Sequence, residues 1–194
     1  MTEKEKMLSG LLYNAEDKAL VKERLNAKDI CHKYNNIMPS EEKSLKETMK
    51  SLLGKTEGDF CIMQPFWCDY GYNIEIGSNF FANHNTVILD GGKVKFGDNV
   101  FVAPNCGFYT AGHPINAEER NKGIEYARSI TVGDNVWIGA GVHVMPGVKI
   151  GSNVVIGGGS IVVNNIPDNC VAVGNPCRVK RKLTEYEIKN GISE

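Results

Sequence analysis

The 194-residue sequence has almost no net charge: 22 Lys and Arg stand against 23 Asp and Glu, a formal -1. With no basic excess and no polybasic tail, neither nucleic acid nor a membrane surface is an expected partner. The opening MTEKEKMLSG lacks an apolar stretch followed by a small-residue cleavage site, so it does not read as a signal peptide. No apolar run reaches the length of a membrane span, which leaves the cytoplasm as the expected location. The 6 cysteines, at 31, 61, 68, 106, 170 and 177, contain no C-x-x-C pair. Reduced thiols are therefore expected, with no zinc site made of them. The remaining composition, 42% hydrophobic, suits one globular domain or one with a small appendage.

Residues 1–58 read as a helical segment. EKEKMLSGLLY carries Met7, Leu8, Leu11 and Leu12 at helical spacing. DKALVKERLNAKDICHKYNNI repeats the pattern with Leu20, Val21, Leu25, Ile30 and Tyr34. SEEKSLKETMKSLLG places Ser40 and Lys43 at its start, runs through Leu45, Met49, Leu52 and Leu53, and stops at Gly54. Helices this short need a surface to lie against.

Residues 59–185 change to a six-residue beat: IGSNFF and ANHNTV, then FGDNVF and VAPNCG, later VGDNVW, IGAGVH, VMPGVK, IGSNVV and IGGGSI. Units open on Ile76, Phe96, Val102, Val132, Ile138, Val144, Ile150 and Ile156. Four residues later come Phe80, Val100, Cys106, Val136, Val142, Val148, Val154 and Ser160. This is the hexapeptide pattern of a parallel β-helix, one short strand and one turn per unit, stacked over a continuous core. A sandwich would space its strands at eight to twelve residues rather than at a fixed six. The beat does not fix the handedness of the coil. It breaks at residues 108–130, FYTAGHPINAEERNKGIEYARSI, then resumes in phase. After GNP the chain ends in Arg178, Lys180, Arg181 and Lys182 and a tail, 186–194. That cluster is either a solvated end or an anion site for a phosphorylated ligand.

The hexapeptides, the helical start, FANHN, TAGHPI, ITVGDNVWIGAGVHVMPGVKIG and IPDNCVAVGNPCRV together make this sequence resemble the maltose and galactoside O-acetyltransferases, a branch of the hexapeptide acyltransferases. The resemblance spans nearly the whole chain. It implies a left-handed β-helix, a homotrimer with an active site in each cleft between neighbouring coils, acetyl-CoA as donor and a sugar hydroxyl as acceptor. No metal is implied. The break in the beat is then a loop that presents a histidine to the cleft.

On this resemblance, His113 is the general base that a hydroxyl nucleophile needs, and Glu125 is its orienting partner. Asn83 sits beside the attacked hydroxyl. Transfer is direct, because no cysteine or serine lies in a nucleophile motif. The other histidines, His32, His84 and His143, read as exposed or stacked side chains. Ala140, Gly158, Val163 and Asn164 match main-chain contacts to acetyl-CoA, with the Ala140 N–H a candidate oxyanion donor. Val163-Asn164 stands where many relatives have Thr-Lys, which removes a charge. Arg178 and Arg181 match residues that meet the CoA phosphates, and Trp137 a tryptophan near the cleft. On the acceptor side, Asp69 matches a sugar-contacting position, with Asp17, Arg24 and Tyr70 as further candidates. The galactoside enzymes place their acid at Ala15 rather than Asp17, and carry a tyrosine where Phe81 stands. That departure favours a maltosyl or glucosyl acceptor, or an unidentified one, over a galactoside.

Three alternatives remain open at this level. The acceptor could be a drug or a polysaccharide or lipid-oligosaccharide precursor, since a few side chains retune one cleft. A γ-type zinc carbonic anhydrase would need three converging histidines, and the loop offers Glu118 where one is wanted. A trimeric scaffold without catalysis is the third.

Overall fold

The computed structural model describes residues 1–190; the end of the expected tail, 191–194, lies outside the described residues. The coil is a parallel β-helix with three faces, each a ladder of short strands. One ladder stacks Phe60–Ile62, Phe80–Ala82, Val100–Val102, Val136–Ile138, Val154–Ile156 and Cys170–Val173, and ends in the antiparallel strand Arg178–Lys182. The second stacks Phe66–Cys68, Thr86–Leu89, Gly107–Tyr109, His143–Val144 and Ile161–Val162. The third stacks Lys55–Thr56, Ile74–Ile76, Val94–Phe96, Ile130–Val132 and Lys149–Ile150.

Every unit-opening residue and every residue four later, from Ile76 to Ser160, is buried. Cys106 is one of them, a core residue as its place in the beat requires. The N-terminal half of the core holds phenylalanines: the Phe80 and Phe96 rings lie 4.9 Å apart, as do those of Phe96 and Phe108. Corners are built by asparagine. Asn79, Asn99, Asn135, Asn153 and Asn169 all take positive φ, and each of the first four side-chain amides donates to the next Asn along the coil at 2.9–3.2 Å. Asn supplies both the left-handed corner and the stacking bond, which is why it recurs at one position of the repeat.

The helical start caps the open end of the coil. Helix α1 is Glu3–Leu8, α2 is Lys18–Asn35 and α3 is Glu42–Leu52. Ala27, Cys31, Tyr34, Met49 and Leu52 join the coil core. Two details differ from the expected helices. Gly10, at φ +73, ends α1 early, so Leu11 and Leu12 are exposed and the chain runs into a short strand, Tyr13–Asn14. Helix α3 begins after Glu41 with no side-chain cap; Ser40 lies in the preceding turn and Lys43 is inside the helix. Beyond the coil, Glu185–Asn190 forms a further short helix. No helix among the described residues is long and apolar enough to cross a membrane.

Candidate active site

The break in the beat is folded. Phe108 and Ile130, at its two ends, still occupy buried coil positions. Between them Ala111–Gly112 pairs antiparallel with Ile124–Ala127, with a short helix, Ala117–Asn121, at the tip. Asn116 caps that helix by accepting from the N–H groups of Glu118 and Glu119. Gly112 stands opposite Tyr126, whose ring comes within 2.5 Å of where a Cβ would be. Any larger residue there would have to displace the end of that ring. The Tyr13–Asn14 strand pairs with the outer side of Ile124–Ala127, Tyr13 opposite Glu125.

This register creates a row across three strands. Gly112 faces Tyr126, so the next residue, His113, comes beside Glu125, and Tyr13 flanks Glu125 from the other side. His113 Nε2 lies 3.8 Å from Glu125 Oε1. The buried Tyr13 hydroxyl donates to Glu125 Oε2 at 2.7 Å. His113 Nδ1 lies 3.1 Å from the carbonyl oxygen of Ile124. The imidazole is half exposed and the Glu125 side chain only 23% exposed. Burial, the bond to Glu125 and the nearby Asp69 charge all push the Tyr13 hydroxyl far above its ordinary range, so it stays a donor. Sequence reasoning missed Tyr13 because LLY read as the last turn of a helix.

Of the expected acceptor residues, Tyr70, Arg24 and Asp69 lie in the same region. Tyr13, Ala15, Leu20, Tyr70 and Ala127 share one buried cluster joining the helical start to the loop. Arg24 donates to the Tyr70 hydroxyl at 2.9 Å and to the Ala15 carbonyl at 2.7 Å. Burial holds the Tyr70 hydroxyl up at about 12 against the pull of Arg24. Asp17 caps α2, accepting from the N–H groups of Ala19 and Leu20, so one of its oxygens has a structural task. The Asp69 carboxylate has no hydrogen-bond partner among the described residues. Burial raises its pKa, with Arg24 and Lys28 opposing and Glu125 reinforcing. Behind it, the fully buried Asp90 accepts through Oδ1 from the N–H groups of Asp69 and Tyr70, at 3.0 and 2.8 Å. Its other oxygen is unpartnered. Asp90 is a second group that periodicity did not single out, since it sits at a strand end.

The remaining candidates lie on another part of the coil. Asn83 lines a groove of about 370 Å³ with Phe81, Phe101, Val102, Ala103 and Trp137. Its side-chain oxygen accepts from the His84 N–H at 2.8 Å and its carbonyl from the Thr86 hydroxyl at 2.9 Å, which leaves its amide NH₂ unclaimed. None of the His113 row lines this groove. Trp137 is 58% exposed and points outward. Ala140 and Gly158 stack at one corner, and neither N–H has a partner among the described residues. Val163 and Asn164 are exposed one turn on. Arg178 is exposed, while Arg181 is held by Glu187 through two contacts of 2.7 and 2.9 Å. His143 stacks on Tyr109, His32 lies on α2, and His84 is exposed. A separate cleft of about 920 Å³, between α2, α3 and the first turn, holds His84 but none of the proposed site residues. No group of three or more His, Cys, Asp or Glu side chains able to hold a metal occurs among the described residues.

Comparison with known proteins is decisive for the family. Residues 6–58 match the maltose acetyltransferase hexapeptide capping motif, and 129–164 match six bacterial transferase hexapeptides. The crystal structure of a maltose O-acetyltransferase from Clostridium difficile 630 is 52% identical, covers 95% of this chain and 99% of its own, and superimposes with a TM-score of 0.94. This chain belongs to the maltose and galactoside acetyltransferase family. A galactoside acetyltransferase solved in complex with coenzyme A is 39% identical, covering 100% of this chain and 97% of its own at a TM-score of 0.95. A Saccharomyces cerevisiae protein provisionally named an acetyltransferase is 55% identical over 94% of each chain. As a hexapeptide-repeat acetyltransferase of this family, the chain devotes its helical capping motif to two ends at once. One part closes the coil, and the strand at Tyr13 braces the loop that carries His113.

Proposed function

We propose that this acetyltransferase moves the acetyl group of acetyl-CoA directly to a sugar hydroxyl, with His113 as general base. The observation that carries the reading is the bond between His113 Nδ1 and the Ile124 carbonyl. A carbonyl can only accept, so Nδ1 carries the ring proton and Nε2 keeps the basic lone pair. Nε2 takes the proton of the acceptor hydroxyl as its oxygen attacks the thioester carbonyl carbon. The tetrahedral oxyanion is met by the unpartnered N–H of Ala140. Collapse breaks the C–S bond, and the imidazolium returns its proton to the leaving CoA thiolate. Glu125, 3.8 Å from Nε2, offsets the imidazolium charge while it exists. Asp69 and the free amide of Asn83 hold acceptor hydroxyls. Ala140, Gly158, Val163 and Asn164 line the CoA path, and Arg178 and Arg181 take its phosphates.

The reading includes a homotrimer in which one copy supplies the His113 row and its neighbour the Asn83 and Trp137 groove. Outward residues favour it. Two faces of the coil present Phe81, Phe101 and Trp137 on one side and Trp67, Val87 and Ile161 on the other. The third presents Lys55, Glu75, Lys95, Thr131 and Lys149. Apolar outer faces next to a polar one are what a closed ring of coils requires. The test is acetyl-CoA turnover, followed as free thiol, over maltose, glucose, galactosides, chloramphenicol and serine. Sugar-dependent release that His113→Ala abolishes supports the reading. Release that survives His113→Ala removes the assigned base, and absence of CoA binding removes the reading altogether.

A further inference from the structure

Glu125 poses a difficulty as it stands. A carboxylate beside an imidazole ordinarily closes on it, forms an ion pair and keeps the ring protonated. A protonated ring cannot act as base. Here the nearest approach, Nε2 to Oε1, is 3.8 Å, too long for a hydrogen bond. What holds the carboxylate back is visible on its far side. The Tyr13 hydroxyl takes Oε2 at 2.7 Å, and Tyr13 is itself fixed by strand pairing opposite Glu125 and by a nearly fully buried ring.

We propose that Tyr13 is a positioning residue that restrains Glu125 so that His113 Nε2 stays unprotonated and open to the acceptor hydroxyl. Glu125 then acts on the imidazolium only once the proton has been taken. This rests on His113 being the base. It gives the capping segment a part in the chemistry: a strand from residues 1–58 sets the reach of a carboxylate in the loop at 108–130. Other charged groups face the row without substituting for Tyr13. Asp69 stands near Glu125 and repels it, while Arg24 is committed to Tyr70 and Ala15. Glu16 meets the turn at Gly123, and Arg128 lies over the Tyr126 ring. None of these donates a hydrogen bond to Glu125.

The test is the pH–rate profile of the full chain with its best acceptor, between about pH 5.5 and 9, for Tyr13→Phe, Glu125→Gln and the double variant. Phenylalanine keeps the buried ring, and thermal unfolding and CoA binding confirm that each variant is folded. In Tyr13→Phe the released Glu125 closes on the ring. The acid limb moves up by about one pH unit, turnover falls by up to about tenfold on the acid side of the limb, and the high-pH plateau is regained. Glu125→Gln moves the limb the other way, and adding Tyr13→Phe to it moves nothing further. A limb that stays put in either single variant overturns the proposal. So does a plateau lowered at every pH, which is the mark of a merely structural tyrosine. His113→Ala separates the failures: if it retains turnover, the base assignment falls; if it is dead while Tyr13→Phe is unaffected, only the role of Tyr13 falls.

Discussion

The carbonyl oxygen of Ile124 lies 3.1 Å from Nδ1 of His113, on the ring edge opposite the one that Glu125 approaches. Adjacent residues of one strand therefore act on both sides of the imidazole: the backbone of the first fixes the tautomer and the side chain of the second faces the base nitrogen. In the proposed reading, the orienting task expected of Glu125 falls to a peptide group. This predicts that ¹⁵N-labelled protein at high pH shows the neutral His113 ring protonated at Nδ1. A ring protonated at Nε2 would contradict the arrangement.

Arg181 reaches a phosphate only in competition with Glu187 of the terminal helix, which holds it through two contacts. The bond to Glu187 also raises the pKa of that guanidinium. Removing the carboxylate by Glu187→Ala is expected to tighten acetyl-CoA binding about two- to fivefold at low salt, with the gain shrinking as salt is added. Arg178→Ala should weaken binding about tenfold under the same conditions. Calorimetric titration checks both. Weaker binding in Glu187→Ala would mean that the helix helps to build the CoA site instead of competing for it.

Asp90 should make stability fall as pH rises. Burial, with the Asp69 charge, raises its pKa from 3.8 to about 6, while the Tyr70 N–H opposes. The protonated form is therefore the one the fold favours. Its contribution is complete below about pH 4 and lost as pH climbs through about 6. Asp90→Asn keeps an acceptor for the Asp69 and Tyr70 amides and removes the charge. The variant should exceed wild type by on the order of 2 kcal/mol at pH 8, the gap closing towards pH 4. Urea unfolding at the two pH values measures it. An unchanged gap would show that Asp90 carries no net charge penalty.

How far the sequence foretold this depends on whether a feature is periodic. The core from Ile76 to Ser160 repeats every six residues, so each position is confirmed by its neighbours, and all of them are buried. His113 was legible because it interrupts that beat. Tyr13 was not: its place opposite Glu125 depends on pairing between strands more than a hundred residues apart, and Gly10 ends the helix that the leucine spacing suggests. Glu187 was hidden for a different reason: it lies only six residues from Arg181, but the contact needs the chain to turn from the last strand into the helix Glu185–Asn190, and the charged tail gave no sign of that helix.

The most direct consequence of the two separated half-sites is complementation. His113 belongs to the loop, Asn83 to a groove that none of the His113 row lines, and both are assigned to one reaction. His113→Ala and Asn83→Ala should each lose most turnover as pure proteins. On the proposed homotrimer, refolding the two together in equal amounts forms mixed assemblies. If the cleft lies between copies, some clefts receive His113 from one variant and Asn83 from the other. Random mixing gives about a quarter of the clefts both intact groups, and about that share of wild-type turnover returns. If each cleft were built by a single chain, no mixture could restore it, because every chain lacks one of the two groups. Sedimentation of Trp67→Glu and Phe101→Glu supplies the control: a charge on either apolar face should dissociate the assembly and abolish turnover in the same sample.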